Sequence, residues 1–140
     1  KQPSRPAFSA YRVAAGNTIY SAGSVISADM TATNMNIGGY YKTSGADVGK
    51  FVVPCDGLYY FSMNLYNNSS GVHRVAIFCG GSVNGRVING HGQSTAGDDF
   101  NGSGVIYLEQ GDKVWITNLY DATAIFHDRH HSLWSGFLLG

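Results

Sequence analysis

The stretch Gly57–Met63 (GLYYFSM), with its approach Gly49–Asp56 (GKFVVPCD), decides the fold of this chain. Read with a period of two, it presents one nearly unbroken apolar face made of Phe51, Val53, Cys55, Gly57, Tyr59, Phe61, Met63 and Leu65. Strict alternation of this kind is typical of a β-strand whose one face is buried. The stretch therefore predicts strand structure on both sides of its centre.

The middle of the stretch predicts a corner between two strands. Pro54 has no backbone N–H to donate to a strand ladder, and Gly57 tolerates positive φ, so the corner is expected between them. The even-numbered residues that follow, from Leu58 to Tyr66, begin apolar and end polar. That second face is therefore expected to be only partly buried.

Composition indicates one β-rich domain. The chain has 140 residues, 19 glycines, 13% aromatic and 13% charged residues, which suits a turn-rich β-protein with a single core. The net charge is zero and the sequence pI is about 7.1, so no electrostatic field attracts nucleic acid or an anionic membrane surface. No apolar run approaches the roughly 20 residues that span a bilayer, so membrane insertion is not expected.

Turn signals divide the chain into short strands. Residues 1–6, with Pro3 and Pro6, are expected to be an extended tail before one globular domain at residues 7–140. A polar, glycine-rich loop is expected at residues 90–99 and a charged loop at residues 127–132. Further strands are predicted at residues 7–13, 18–26, 73–78, 86–89, 101–108, 113–117, 125–126 and 133–139, and another is predicted to begin at residues 38–41. Short strands without a helical period predict an all-β sandwich.

The two cysteines, Cys55 and Cys79, leave two interpretations open. Both are expected inside strands, either as two buried free thiols or as one disulfide of a secreted protein. The distance and orientation of the two cysteines decide between these interpretations, and their spacing in the sequence does not give that geometry.

The spacing of Phe51, Gly57, Tyr59 and Phe61 resembles the signature of the C1q domain, the globular head of complement C1q and its relatives. Residues 7–12 (AFSAYR) resemble the usual start of these domains. Two later segments also fit: residues 102–114, with Leu108 and Gly111-Asp112, and residues 134–139 (WSGFLL), which resemble a closing FSGFLL. The likeness runs from Ala7 to Leu139. Met63 in place of an aromatic residue, and a longer loop at residues 41–48, are departures.

The resemblance implies a ten-stranded jelly-roll β-sandwich, as in tumour necrosis factor, that assembles as a tight homotrimer. The high aromatic content agrees with assembly into a trimer, because large exposed aromatic patches are unusual on monomers. A set of aromatic residues on the second faces of their strands is therefore predicted to form the subunit interface: Tyr11, Tyr60, Tyr107, Trp115 and Trp134. The alternative is that they are partly exposed residues of a two-sided sandwich.

Residues 127–131 form the densest polar cluster. As a metal site, His127, His130 and His131 would supply imidazoles and Asp128 an oxygen, but adjacent loop histidines do not fix zinc geometry and a solvated loop is more common. As a ligand site, Arg129 suits a carboxylate such as that of a sialic acid, because its guanidinium pairs bidentately. Tyr120 would add a stacking face to this site.

The loop at residues 90–99 is the second candidate for ligand binding, through His91 and Gln93. Its small residues let backbone approach a ligand. Asp98 and Asp99 are candidate calcium ligands, although paired aspartates without EF-hand spacing are more often solvated turn residues. Calcium near the three-fold axis of some related trimers also makes Asp121 and Asp128 candidates by resemblance. No cofactor is otherwise required.

No catalytic constellation appears, since the chain lacks a G-x-S-x-G elbow and an H-E-x-x-H segment, and it is not expected to be an enzyme. The resemblance implies a secreted, extracellular pattern-recognition lectin of innate immunity, related to invertebrate C1q-domain proteins without a collagen stalk. Such a trimer would bind carbohydrate on microbial or cell surfaces, for example sialic acid, mannan or lipopolysaccharide. The alternative is a trimeric signalling or scaffolding ligand for a protein receptor, similar to adiponectin or cerebellin.

Overall fold

The computed structural model describes residues 5–13, 16–66, 71–82, 87–94, 99–119, 123–127 and 132–140; for residues 16–17, 71–74, 87–94, 99 and 123–127 only the backbone is described. This part of the chain contains a 3-10 helix at Ile26–Asp29 and eleven strands: β1 (Ala7–Tyr11), β2 (Gly16–Tyr20), β3 (Ala32–Ile37), β4 (Phe51–Val52), β5 (Gly57–Tyr66), β6 (Gly71–Gly80), β7 (Val87–Ser94), β8 (Asp99–Leu108), β9 (Lys113–Asn118), β10 (Thr123–His127) and β11 (Leu133–Leu138).

The strands form an antiparallel sandwich. A five-stranded sheet in the order β3-β1-β11-β5-β8 packs across the core from a four-stranded sheet in the order β4-β9-β6-β7, and β10 pairs with β2. The all-β jelly roll expected from the sequence is confirmed. The described residues form eleven strands where ten were expected, and one of them is the two-residue β4.

The alternation around β5 holds as predicted. Tyr59, Phe61 and Leu65 are fully buried, and Met63 nearly so, because β5 runs through the middle of its sheet between β11 and β8. The even-numbered residues of β5 are partly or fully exposed, as expected. Gly57 is buried without positive φ, so its small size matters here: an added Cβ would lie 2.8 Å from Leu138 Cδ1.

An aromatic cluster fills the centre of the core. The ring of Phe8 stacks on Tyr41 at 4.6 Å between centroids and meets Trp134 edge-on at 4.6 Å. Gly136 leaves the space that the rings of Phe8 and Phe61 occupy. Aromatic pairs of this geometry add to the stability that comes from burial alone.

Cys55 and Cys79 are not joined by a disulfide, so the disulfide interpretation is wrong. Cys79 is buried in β6, as the other interpretation expected. Cys55 is exposed and lies outside the strands, in the bend between β4 and β5, because the chain turns directly after Pro54. The Tyr59 hydroxyl donates to the carbonyl of Cys55 at 2.7 Å and holds this bend.

Three predicted elements differ from the structure. Residues 90–94 belong to β7 instead of a loop, because their backbone pairs with β6. Strand β2 ends at Tyr20, where Ser21 begins a turn with Gly23 at φ 85°. Gly38 and Gly39 form a turn with positive φ instead of starting a strand, and Tyr41 contributes only an isolated bridge to Phe51.

Gly49 is expected to be the least replaceable glycine of the 41–51 loop. It has φ 80°, and an added Cβ would collide with the backbone of Ser27. Gly45 has nearly the same φ of 82° but open space around it. We expect Gly49→Ala to lower the free energy of unfolding by about 3 kcal/mol and Gly45→Ala by about 1 kcal/mol, measured by urea unfolding. Equal losses of unfolding free energy in the two variants would contradict the collision with Ser27 and leave the positive φ as the whole cost.

Asp112 explains the Gly-Asp motif at the β8–β9 turn. Its carboxylate accepts hydrogen bonds from the backbone N–H of Ser82 at 2.7 Å, the Ser82 hydroxyl at 2.6 Å and the backbone N–H of Glu109 at 2.8 Å. Burial alone would raise the pKa of Asp112, but these hydrogen bonds outweigh it and hold the pKa below its ordinary value. Gly111 allows the turn through φ 92°.

The lowered pKa of Asp112 predicts a pH-dependent contribution to stability. The contribution is present above the unfolded-state pKa and is lost as the pH falls through the lower folded-state pKa. Asp112→Asn is therefore expected to cost about 2 kcal/mol at pH 7 and less at pH 3, as measured by urea unfolding at both values. A cost that does not change with pH would contradict the role of the charge.

Candidate functional site

The outward surface of the five-stranded sheet carries a broad apolar patch. Strand pairing places Tyr60 beside Val105 on β8 and beside Phe137 on β11, and places Leu58 beside Tyr107. We define the apolar face as the outward residues Met35, Ile37, Leu58, Tyr60, Val105, Tyr107 and Phe137. All but the partly buried Tyr60 are 38% to 55% exposed, so the single chain leaves this face uncovered.

A shallow groove runs along one side of the apolar face. It has a volume of about 510 Å³ and lies between the start of β1 and the end of β11, with Pro6, Met35, Phe137 and Leu139 among its walls. Arg5 lies at its rim, where the guanidinium donates to the carbonyl of Leu139 at 2.5 Å. The groove is thus mainly apolar with one cation at its edge.

The apolar face gives way to a polar band farther along the same strands. Four serines lie in one row across β1, β11, β5 and β8, and the hydroxyls of Ser62 and Ser135 are 3.2 Å apart. A hollow of about 250 Å³ is lined by three serines of this row, Ser9, Ser62 and Ser135. The four serines are Ser9, Ser62, Ser103 and Ser135.

The five predicted interface residues do not share one surface. Tyr11 and Tyr60 are partly exposed, and Tyr107 is 55% exposed, and all three point outward from the five-stranded sheet. Trp115 lies on β9, on the outward side of the four-stranded sheet and therefore on the opposite side of the sandwich.

Trp134 is a correction to the sequence prediction. Its side chain is 1% exposed in the single chain and belongs to the core, where its indole N–H donates to the Tyr41 hydroxyl at 3.2 Å. The pairing of Trp134 with Met63 and Ala10, which both face inward, fixes this orientation. A side chain that one subunit already covers has no surface to offer a partner.

The predicted ligand loops lie mostly outside the described residues, so their roles stay predictions. For four residues the backbone position is described: His91 opposite Val75 and Gln93 opposite Val72 on β6, Asp99 opposite Tyr66 at the start of β8, and His127 opposite Gly16 at the end of β10. The others fall outside: Asp98, Tyr120, Asp121, Asp128, Arg129, His130 and His131.

Arg12 is a buried charge that the sequence prediction missed. Its guanidinium donates to Thr18 Oγ1 at 3.0 Å and lies 3.7 Å from Asp29 Oδ2, while its Nε and Nη1 have no partner in the described part of the chain. Burial lowers the pKa of Arg12 from its ordinary value. The sequence does indicate an inward position for Arg12, since Arg12 continues the alternation of the inward residues Phe8 and Ala10.

The Tyr20 hydroxyl completes the surroundings of Arg12. It donates to Asp29 Oδ2 at 2.5 Å, and the Arg12 guanidinium lies 5.5 Å from the centre of the Tyr20 ring. Burial and this hydrogen bond raise the pKa of Tyr20, so the hydroxyl stays protonated at neutral pH. The cluster joins the end of β1 to β2 and the 3-10 helix.

The described residues contain no group of three or more His, Cys, Asp or Glu side chains arranged to hold a metal ion. Among the same residues, no helix has the length and apolar character needed to cross a membrane.

The chain belongs to the C1q domain family, whose match covers residues 7–139. Members of the C1q and tumour necrosis factor family are non-enzymatic ligand or recognition proteins, which agrees with the expectation from the sequence that the chain is not an enzyme.

Two curated relatives resemble the chain: human and mouse complement C1q tumor necrosis factor-related protein 2, each 32% identical over 117 residues. The matches cover 75% of this chain and 36% and 35% of the human and mouse proteins, so the chain spans about a third of their length.

Solved structures share the fold at low sequence identity. The Eiger TNF of S. frugiperda matches with a TM-score of 0.79 at 12% identity, covering 99% of this chain and 94% of the other. The globular domain of zebrafish complement 1qA matches with a TM-score of 0.71 at 17% identity, covering 96% and 98%. These likenesses establish the jelly roll and nothing finer.

Proposed function

We propose that this chain is the globular part of a secreted, extracellular pattern-recognition protein that binds carbohydrate on microbial or cell surfaces as a homotrimer. The observation that carries the proposal is the apolar face, which a single chain of a C1q-domain protein leaves open to water. Exposed apolar surface of this extent marks an interaction site. Three copies packed through this face would bring three ligand sites onto one particle.

In the proposed function, the trimer serves to bind one surface through several sites at once. A site that binds one sugar weakly gains avidity when two or three sites engage the same surface. Adaptable polar side chains suit sugar hydroxyls, and the chain has them at His91 and Gln93 on β7 and at residues 127–131. Arg129 adds a guanidinium suited to a carboxylate, and Tyr120 a ring for stacking.

Calcium is proposed only as an optional partner of the ligand site. Asp98 and Asp99 are the acidic residues that the sequence offers for it.

A glycan array probed with the purified chain, in calcium and again in EDTA, tests this function. We expect binding to at least one class of sugar, and lost binding in EDTA would place calcium at or near the site. A blank array from a protein shown to be trimeric would contradict the lectin function.

The second candidate is a trimeric signalling or scaffolding ligand for a protein receptor. Exposed apolar side chains outside the apolar face favour it: Val13 is 53%, Ile19 73% and Leu119 41% exposed. A receptor contact would cover such residues. A blank glycan array together with loss of cell-surface binding in Ile19→Asp would support this candidate over the first.

A further inference from the structure

The outward side of the four-stranded sheet carries an aromatic pair beside a lysine. Phe78 on β6 and Trp115 on β9 are directly paired in register, and their ring centroids are 5.3 Å apart. Alternation turns the two rings outward, where both are partly exposed. Lys50, which directly precedes β4, places its ammonium 4.4 Å from the centre of the Trp115 ring. The chain neighbours of the two rings are buried instead: Ile77, Cys79, Val114 and Ile116.

The charge of Lys50 has no acidic partner in the described part of the chain. The neighbouring cation Lys113 pairs with Asp47 at 3.0 Å, whereas no carboxylate among the described residues pairs with Lys50. The ring of Trp115 holds the ammonium by a cation–π contact, which orients the cation without neutralising it. The surface therefore presents one oriented positive charge beside apolar ring surface.

We propose that Lys50, Phe78 and Trp115 form a binding platform for a carboxylate-bearing sugar, such as a sialic or uronic acid. The ammonium would pair with the sugar carboxylate, and the exposed ring surface would pack against the C–H groups of the pyranose. A neutral sugar would use the rings alone, so the charge of Lys50 selects acidic sugars.

The location of the platform agrees with multivalent binding. It lies on the opposite side of the sandwich from the apolar face, so a trimer that buries the apolar face leaves the platform open on each subunit. The inference rests on the proposed carbohydrate-binding function and names its ligand class and a site distinct from the predicted loops.

Tryptophan fluorescence tests the platform directly. The chain has two tryptophans, and Trp134 is buried in the core at 1% exposure, so a change on adding sugar reports on Trp115. We expect N-acetylneuraminic acid or galacturonic acid to change the emission, with a weaker response to galactose. The response to the acids should fall with added salt, because salt screens an exposed ion pair.

Matched variants separate the platform from other sites. Lys50→Gln is expected to weaken binding of the acidic sugars about tenfold and to leave galactose binding nearly unchanged. Trp115→Phe removes the tryptophan that reports on binding. Binding of the same sugars to this variant is therefore measured with the sugars immobilised on a sensor. Lys42→Gln is the control, since it removes the same charge from a lysine that donates to the carbonyl of Gly39.

The outcomes distinguish the platform from the wider function. Acidic sugars that bind the wild-type chain, Lys50→Gln and Trp115→Phe equally would overturn the platform while supporting a lectin with its site elsewhere. Sugars that bind none of these proteins, on the sensor or on the glycan array, would overturn the proposed function and the platform together.

Discussion

Trp134→Ala is expected to lower the free energy of unfolding by about 4 kcal/mol, the loss typical of removing a large buried aromatic side chain. Trp134 packs edge-on against Phe8 at 4.6 Å and also lies against Phe61 and Tyr41 in the centre of the core. The variant would leave a cavity among these rings. It would also remove the indole N–H that donates to the Tyr41 hydroxyl.

Trp134→Phe is the matched variant for this prediction. It keeps an aromatic ring and is expected to cost about 1 to 2 kcal/mol, for the lost volume and the lost hydrogen bond. Urea unfolding followed by circular dichroism measures both variants on one scale. A loss below about 1 kcal/mol for Trp134→Ala would contradict the placement of this side chain in the core.

Tyr107→Asp is expected to abolish assembly at micromolar concentration. Tyr107 is 55% exposed on the apolar face, so the folded single chain tolerates a carboxylate there. In the proposed trimer the carboxylate would be desolvated without a partner, which should weaken association by several kcal/mol, more than about a hundredfold. Size-exclusion chromatography with light scattering measures the change in mass.

The control for Tyr107→Asp adds the same charge away from the apolar face. Gln110 is exposed in the turn after β8, and Gln110→Glu is expected to leave the mass of the assembly unchanged. Near-ultraviolet circular dichroism should show that both variants keep the native core. A trimer that forms equally well in the Tyr107→Asp variant would show that the apolar face is not the subunit interface.

The fold was predictable from the sequence wherever a strand has one buried face. Alternation around Phe61 gave the inward and outward sides of β5 because apolar and polar residues alternate there. In β11 both sides carry apolar residues, so alternation alone does not say whether Leu133 or Trp134 points inward. Pairing with Met63 decides it, and that contact is distant in sequence.

Strand β7 shows a second limit of sequence reasoning. Residues 89–93 (NGHGQ) contain no β-branched or aromatic residue, so their local preference is for a turn. The backbone nevertheless forms a strand because β6 supplies hydrogen-bond partners along its length. Tertiary pairing overrides local propensity here.

The candidate site was only partly predictable. Exposed aromatic residues indicated an interface, and Tyr11, Tyr60 and Tyr107 do share one outward face. The sequence does not say which sheet a strand joins, so Trp115 was grouped with them although β9 belongs to the other sheet. Because Trp115 lies on the other sheet, the platform proposed for Lys50 and Trp115 is separate from the apolar face.

The solution mass of the unmodified chain tests the central claim most directly. Sedimentation equilibrium at micromolar concentration is predicted to give three times the 15.0 kDa mass of the chain, because the proposed homotrimer buries the apolar face. A single species at 15.0 kDa across the concentration range would contradict the claim, since the apolar face would then be exposed to water and avidity would be lost.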